Sequence, residues 1–395
     1  MQATSADEAA LSQPENTSQT STIARSRRSV DLDFLRGLAI FLVLDFHYGS
    51  EGASLLAWPL RKLGLPHFGW GGVDLFFVLS GFLVGGLLIE EWREYHSINV
   101  PRFLLRRALK ISPPYYVFLI VMLLRHLSEW RTYIGSFLNI QNYYGINEDV
   151  STRFDHTWSL AVEEHFYLLL PCILLLAGKL KLRTKTLIFI FAGISVCALV
   201  LRTYRIATGH FSYPFTHLRI DALFYGVILA ILYHDMPHRF AALQRYRWWL
   251  ILITVPSWLF MSHFGDRTMP HALGIAAADI SAVAVLLFFF RSEPVHRIWP
   301  YRALAWIGIY SYGIYLWHES VVGPIASLVS RSPAPLQPFM SAILPWALAV
   351  GIGILMTKLI ELPVLRLRDR FFPKRVKSPI TVLNPESNPT AEAQS

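Results

Sequence analysis

An arginine and a histidine stand in the first apolar segment of the chain, at positions 36 and 47. The ten residues between them make almost three helical turns, so Arg36 and His47 share one helix face, about 16 Å apart along the axis. Ionisable groups in a membrane helix usually face a protein interior or a water-filled cavity. The pair therefore predicts a reaction path through a membrane. The alternative is that Arg36 reaches the interface and His47 only caps the outer end of the helix.

Two adjacent carboxylates enter another apolar run shortly after a tryptophan suited to the outer interface, Trp158. Neighbouring helical residues point about 100° apart, so Glu163 and Glu164 need not share one proton. One interpretation places them in catalysis or in an acceptor cavity. The other pairs one of them with a buried base such as Arg219. Arg219 and Asp221 are themselves interpreted as structural ion-pair partners.

A basic cluster precedes the third apolar segment and is predicted to lie in a cytoplasmic loop. Its members are Arg102, Arg106, Arg107 and Lys110. Such a cluster binds anionic lipid head groups by default. The functional alternative is a docking site for a phosphorylated cofactor, in which Arg107 and Lys110, one helical turn apart, clamp one anionic group.

Two more polar residues lie near the outer ends of apolar segments. Asp74 is an intramembrane carboxylate, which needs a partner. His318 follows Tyr312 and Tyr315 at helical spacing on one side of a predicted helix. His318 is a candidate for the cavity lining, although a tyrosine stripe near an interface ordinarily forms an aromatic belt.

The elements that position these residues are predicted to be membrane helices. Hydrophobic residues make up 53% of the 395 residues, charged residues only 16%, and the mean hydropathy is +0.39. We predict an all-α, polytopic integral membrane helical bundle with about ten transmembrane helices. The predicted spans lie near 34–48, 68–89, 113–127, 159–177, 186–203, 218–233, 248–262, 272–290, 304–321 and 340–360.

The distribution of positive charge predicts the orientation. With both termini in the cytoplasm, the cytoplasmic segments hold most of the 36 Lys and Arg residues, which fits the positive-inside rule. The net charge of +9 is thereby assigned to membrane topology, and no nucleic-acid partner is expected. The polar residues 1–30 are predicted to be a disordered tail without a cleavable signal, residues 31–365 the membrane domain, and residues 366–395 a cytoplasmic tail.

These segments together resemble the acyltransferase-3 family of integral membrane O-acyltransferases. The resemblance covers residues 31–363 and rests on Arg36 and His47 with their spacer, and on the Asp74-Leu75-Phe76-Phe77-Val78-Leu79-Ser80-Gly81 run. It also rests on Trp158-Ser159-Leu160 followed by Val162-Glu163-Glu164. Lys110 departs from the family's pair of arginines, because it keeps the charge but loses the bidentate guanidinium.

The resemblance implies transfer of an acyl group, often acetyl, from cytoplasmic acyl-CoA to a hydroxyl of a carbohydrate or similar acceptor in the bacterial cell envelope. The location it implies is the bacterial inner membrane. We assign catalytic roles to four residues: His47, Arg36, Glu163 and Glu164. The acyl-CoA co-substrate is assigned to Arg102, Arg106, Arg107 and Lys110. The acceptor is assigned to Asp74, Trp158 and His318.

No permanently bound cofactor and no metal are expected, since Cys172 and Cys197 are too few for a cysteine metal site. Two alternatives stay open from the residues. One is a proton-coupled transporter or flippase of lipid-linked sugar, which also places His, Glu and Arg inside its spans. The other is a sensor that binds acyl-CoA without catalysing transfer.

Overall fold

The computed structural model describes residues 29–49, 68–144, 155–210, 214–252, 254, 256, 268–291, 298–373 and 375. Within these ranges the regular elements are all helical and no strand occurs. The predicted disordered N-terminal tail lies almost wholly outside the described residues, and so does much of the predicted span near 248–262.

We number the described α-helices of seven residues or more in chain order. They are α1 (Val30–Gly49), α2 (Gly72–Tyr95), α3 (Val100–Arg125), α4 (Trp158–Lys179), α5 (Thr184–Ala207), α6 (Thr216–Asp235), α7 (Pro237–Arg245), α8 (Thr268–Phe289), α9 (Trp299–Gly308), α10 (Ser311–Trp317), α11 (Val322–Ser330), α12 (Gln337–Met356) and α13 (Leu362–Phe371). Shorter helical turns occupy Phe68–Gly71, Leu127–Tyr133, Ile134–Phe137, Asp155–Thr157, His318–Val321, Ala334–Leu336 and Thr357–Glu361.

Six helical stretches within the described ranges are long and apolar enough to cross a membrane. They are α2, α3, α4, α5, α6 and the continuous stretch Ala334–Phe371. A shorter apolar helix, Leu273–Phe289, lies within α8. The prediction of an all-helical, multi-pass membrane protein is confirmed. The count of ten spans and the side on which each terminus lies stay predictions.

The predicted span near 304–321 is not one helix. Helix α9 ends at Gly308, α10 begins at Ser311, and a 3-10 turn starts at His318. Tyr310, at the break, has a φ of −104°, outside the α-helical range. After the break the Tyr312 hydroxyl donates to the main-chain oxygen of Ile111 at 2.7 Å, which joins α10 to α3. The interruption thus gives this segment three differently directed pieces near the site.

The basic cluster is helical rather than a loop, which corrects the sequence prediction. Helix α3 begins at Val100, and the Asn99 side chain accepts a hydrogen bond from the main-chain N–H of Arg102 at 3.1 Å. Pro101 lies in the first turn, where its missing N–H costs nothing. Asn99 and Pro101 are ordinary signals for the start of a helix, so the sequence itself indicates that the basic cluster is helical.

The last apolar helix does not stop at Glu361-Leu362-Pro363, as the proline suggests. A π-helical turn at Thr357–Glu361 leads directly into α13, in which Pro363 occupies the first turn. A π-turn accommodates an extra residue inside a helix and re-aims the following side chains. Glu361 is buried as a result, with 7% of its surface exposed.

Glycines allow two pairs of helices to meet backbone to backbone. A Cβ added at Gly81 of α2 would lie 1.9 Å from the main-chain oxygen of Leu223 in α6. A Cβ at Gly308 of α9 would lie 1.8 Å from the main-chain oxygen of Asp33 in α1. Small residues at such positions let membrane helices approach closely.

Candidate active site

A cavity of about 120 Å³ lies between α1, α2, α3, α4 and α10. Its walls are apolar for the most part, with side chains such as Phe76 and Leu160. The polar lining residues are Arg36, Ser80, Arg107, Lys110, Ser159, Glu163, Tyr167, Ser311, Tyr312 and Tyr315. An apolar cleft with a few converging polar groups is typical of a small-molecule site.

Three cations from α1 and α3 line this cavity. Arg36 is held by Asp33, one turn earlier in α1, at 3.0 Å. The guanidinium carbon of Arg107 lies 5.5 Å from the centre of the Tyr167 ring, in cation–π contact. Lys110 follows Arg107 by one turn on α3 and also lines the cavity. These three side chains give the cavity a positively charged lining on the side of α1 and α3.

A hydrogen-bond chain lies beside these cations, because it includes the Tyr167 that Arg107 contacts. The Tyr167 hydroxyl donates to Oε2 of Glu163 at 2.9 Å, and Oγ of Ser80 lies 2.8 Å from the same hydroxyl. Because Tyr167 donates its only hydroxyl hydrogen to the carboxylate, Ser80 must be the donor in its bond with Tyr167. Glu163 therefore faces the cavity in a fixed position. Glu164 is outside the cavity lining, and its buried Oε1 has no hydrogen-bond partner among the residues that the structure describes.

Three histidines and one glutamate gather near the end of α1 that carries His47. We call His47, His156, His318 and Glu319 the histidine cluster. Glu319 lies between two rings: its Oε1 is 3.3 Å from Nδ1 of His47, and its Oε2 is 2.9 Å from Nδ1 of His156. The ring centre of His318 is 4.8 Å from that of His47 and 4.8 Å from that of His156.

The contact with Glu319 determines which nitrogen of His47 accepts a proton. A carboxylate only accepts hydrogen bonds, so Nδ1 of His47 carries the hydrogen when it faces Glu319. Nε2 then presents a lone pair. About a quarter of the His47 side chain is exposed, at 27%, so this nitrogen belongs to a ring that solutes reach. An imidazole oriented by a carboxylate is an arrangement suited to general-base chemistry.

Tyr315 connects the cavity to the histidine cluster. It lines the cavity, and its hydroxyl donates to the main-chain oxygen of His156 at 2.6 Å and lies 2.5 Å from Oγ of Ser159. The Tyr315 and His156 ring centres are 5.5 Å apart. Arg36 and His47 accordingly both face the stretch 311–321, in agreement with the shared helix face that their spacing predicts.

Arg102 and Arg106 lie elsewhere. Arg102 donates to the main-chain oxygen of Pro373, and Arg106 donates to that of Phe372. Arg106 also pairs with Asp369 at 3.0 Å. The structure thus divides the predicted basic cluster, because Arg107 and Lys110 face the cavity while the other two residues contact the segment that follows α13.

Asp74 and Trp158 do not belong to the cavity lining either. Asp74 is fully buried in an ion pair with Arg219, whose guanidinium carbon lies 5.6 Å from the centre of the Trp158 ring. Asp221 pairs with Arg202 at 3.0 Å. Arg219 and Asp221 are therefore ion-pair residues, as predicted, but with other partners, and the structure gives Asp74 the partner that an intramembrane carboxylate needs.

A family model described as an acyltransferase domain matches residues 29–359. The chain belongs to the acyltransferase-3 family. The chain is 28% identical over 373 residues to the peptidoglycan O-acetyltransferase OatA of Listeria monocytogenes. The aligned region covers 87% of this chain and 57% of that protein. It is 26% identical over 370 residues to the O-acetyltransferase OatA of Staphylococcus aureus, covering 84% and 56%.

This acyltransferase-3 chain thus spans a little under three fifths of the length of the two relatives. No solved structure matches it. The resemblance predicted from the motifs is confirmed, and with it the assignment to a family of acyltransferase enzymes.

Two members of the cluster were missed in the sequence. Glu319 directly follows His318, and His156 stands two positions before Trp158. Both are ionisable residues close to the predicted site residues His318 and Trp158, and this proximity was the available signal. Nothing in the sequence shows, however, that the turns holding them meet in space, since more than 160 positions separate them.

Proposed function

We propose that this protein is a membrane O-acyltransferase. It takes an acyl group, acetyl according to the resemblance, from acyl-CoA at the cytoplasmic face and transfers it to a hydroxyl of a cell-envelope carbohydrate. The family assignment and the acetyltransferase names of the relatives support this reaction. One of those relatives is named for peptidoglycan, so a peptidoglycan-like glycan is the first acceptor to test. The bacterial inner membrane is the proposed location.

The cationic part of the cavity is the proposed donor site. Arg107 and Lys110 would bind a phosphate of acyl-CoA, the guanidinium through paired hydrogen bonds and the ammonium as a point charge. The pantetheine arm would then extend along the apolar walls, past the Glu163–Tyr167–Ser80 chain. Arg36, held by Asp33, would hold the donor where its pantetheine arm enters the bundle, about 16 Å along α1 from His47.

His47 is the proposed general base. Its Nε2 accepts the proton of the acceptor hydroxyl while the hydroxyl oxygen bonds to the thioester carbonyl carbon. The carbon–sulfur bond then breaks, and the departing thiolate of CoA takes up a proton. Glu319 orients the ring and stabilises the imidazolium that forms, as a carboxylate does beside other catalytic histidines.

The observation that carries this proposal is the position of Tyr315, which lines the cavity and bonds the main chain of the histidine cluster. The thioester end of the donor would therefore approach His47 past Tyr315. Direct transfer is the simplest sequence of steps in this arrangement, although an acyl-histidine route uses the same nitrogen.

The test is acyl transfer by the purified full-length protein in proteoliposomes. Labelled acetyl-CoA is enclosed, solubilised peptidoglycan fragments are added outside, and ester formation on the glycan is measured. We expect transfer by the wild type and its loss in His47→Ala. The exposed residue His238, far along the chain in α7, supplies the control His238→Ala, which should retain activity.

Undiminished transfer by His47→Ala would contradict the role of His47 as the base. Movement of a lipid-linked sugar across the membrane without ester formation would favour the transporter or flippase. Binding of acetyl-CoA with neither activity would favour the sensor.

A further inference from the structure

We propose that the histidine cluster is a binding site for a divalent transition metal such as Zn²⁺, and that the bound metal blocks acyl transfer. One ligand atom each from His47, His318 and Glu319 lies within 4.8 Å of the other two. Two imidazoles and one carboxylate are a usual protein ligand set for Zn²⁺, and the fourth position is then open to water. The two cysteines predict no metal site, whereas these ligands are imidazoles and a carboxylate.

The spacing between His47 and Glu319 fits a metal better than a strong hydrogen bond. Charge-assisted N–H···O bonds measure about 2.7–2.9 Å, whereas Nδ1 of His47 lies 3.3 Å from Oε1 of Glu319. Zn–N and Zn–O bonds of about 2.0–2.1 Å give a tetrahedron whose edge is roughly 3.3 Å. A zinc ion can therefore replace the proton between these two atoms with little movement of either side chain.

His318 supplies a third ligand whose lone pair is already free. Its Nδ1 lies 2.6 Å from the main-chain oxygen of Tyr315, which only accepts, so Nδ1 carries the hydrogen. Nε2 of His318 is then unprotonated. It is fully buried and has no hydrogen-bond partner in the described structure. An unpartnered buried nitrogen of this kind is costly unless something binds to it.

The surroundings match those of known metal sites. Metal-binding histidines usually donate their other ring N–H to a carbonyl or carboxylate, as His318 does to Tyr315. Metal-binding carboxylates are in turn held by a second group, and Oε2 of Glu319 lies 2.9 Å from Nδ1 of His156. The partial exposure of His47, 27%, and of Glu319, 18%, gives a metal a route into the cluster.

The inhibitory effect rests on the proposed function and follows from the tautomer of His47. A metal on Nδ1 takes the place of the hydrogen there. The remaining hydrogen of the neutral ring then resides on Nε2, which no longer accepts a proton from an acceptor hydroxyl. The His47 ring therefore cannot bind a metal at Nδ1 and act as the base at Nε2 at the same time.

The experiment is a titration of the purified, chelator-treated full-length protein with Co²⁺, whose visible absorption reports four-coordinate nitrogen and oxygen ligation. We expect one Co²⁺ per protein, displaced by an equivalent of Zn²⁺. Glu319→Gln and His318→Gln should weaken binding by at least roughly tenfold. His238→Ala should bind like the wild type. The wild-type spectrum decides the matter even if a variant fails to fold.

A wild-type spectrum of hydrated Co²⁺ only, or equal binding by Glu319→Gln, His318→Gln and the wild type, would overturn the metal site. In proteoliposomes we further expect Zn²⁺ to stop acetyl transfer and a chelator to restore it. The protein could bind one metal ion and yet show no transfer after chelation. That result would support the metal site and would contradict only the proposed function. Transfer that continues with the site filled would overturn the inhibition.

Discussion

The hydroxyl oxygens of Ser159 and Tyr315 lie 2.5 Å apart where the cavity adjoins the histidine cluster. Tyr315 also donates to the main-chain oxygen of His156 at 2.6 Å, and Oγ of Ser159 donates to the same oxygen at 3.2 Å. A side chain of α10 thereby holds the end of the 3-10 turn Asp155–Thr157 next to α4. The position of His156, and through it that of Glu319, depends on this hydroxyl.

We expect Tyr315→Phe to lower both stability and turnover. Removing the hydroxyl takes away one of the two donors to the His156 main-chain oxygen and leaves only the longer bond from Ser159, at 3.2 Å. Loss of such a buried hydrogen bond costs about 0.5–1.5 kcal/mol. The apparent KM for acetyl-CoA should change little, because the cations of the cavity are untouched. Thermal unfolding and steady-state kinetics measure the two effects. Tyr310→Phe is the control, and an equal loss there would contradict the prediction.

Glu319→Gln tests the orientation of His47. The amide keeps the shape of the carboxylate but neither stabilises an imidazolium nor demands a hydrogen on Nδ1. We expect kcat to fall by roughly 10²–10⁴-fold with the KM for acetyl-CoA nearly unchanged. Glu94→Gln removes an exposed carboxylate at the end of α2 and should leave kcat unaltered. A rise in KM without a loss of kcat would assign Glu319 to binding instead.

Arg107 and Arg102 are five positions apart on α3 but have different surroundings. We therefore expect their substitutions to change the KM for acetyl-CoA to different extents. Arg107 faces the cavity, whereas Arg102 contacts the chain after α13. We expect Arg107→Ala to raise the KM for acetyl-CoA by about 10–100-fold, the loss of one charge-assisted contact. Arg102→Ala should raise it by much less. Equal effects would indicate a diffuse electrostatic surface in place of a defined phosphate site.

The residues whose roles depend on one helix were predictable from the sequence. The shared face of Arg36 and His47 follows from helical geometry, and Arg107 and Lys110, one turn apart, do face the same cavity. The close approach at Gly81 follows from its lack of a side chain. In each case a short local pattern carried the information.

The partners that come from distant segments were not predictable. Asp74 and Arg219 meet across 145 positions, and Glu319 joins two histidines from opposite parts of the chain. The break of the segment 304–321 also escaped the hydropathy pattern, because Gly308, Tyr310 and Ser311 fit an apolar helix well. Tertiary contacts, such as that of Gly308 with Asp33, accompany the break instead.

The ion pair of Asp74 with Arg219 should be a stability element. Both side chains are fully buried, so Asp74→Asn leaves a guanidinium charge without its carboxylate. We expect a loss of about 3–5 kcal/mol, seen as a lower unfolding temperature in detergent. Replacing both residues together, as in Asp74→Leu with Arg219→Met, should recover part of the loss. The control Asp369→Asn, at an exposed ion pair, should change the unfolding temperature little.

Two glycine substitutions distinguish backbone contact from helix propensity. Alanine at Gly81 would place a methyl group 1.9 Å from the main-chain oxygen of Leu223, so α2 and α6 would have to separate. Alanine at Gly193 in α5 meets nothing within 4 Å. We expect Gly81→Ala to lower the unfolding temperature strongly, since several core contacts open when the helices move apart.

Gly193→Ala should instead be neutral or stabilising by up to roughly 1 kcal/mol, because alanine is the better helix former. The pair is measured by thermal unfolding of the two variants in the same detergent. Equal stability of the two variants would mean that α2 and α6 tolerate a wider spacing than their backbone contact suggests. A lower unfolding temperature in Gly81→Ala alone would show that the close spacing of α2 and α6 stabilises the bundle. The cavity wall that includes Ser80 is part of this bundle.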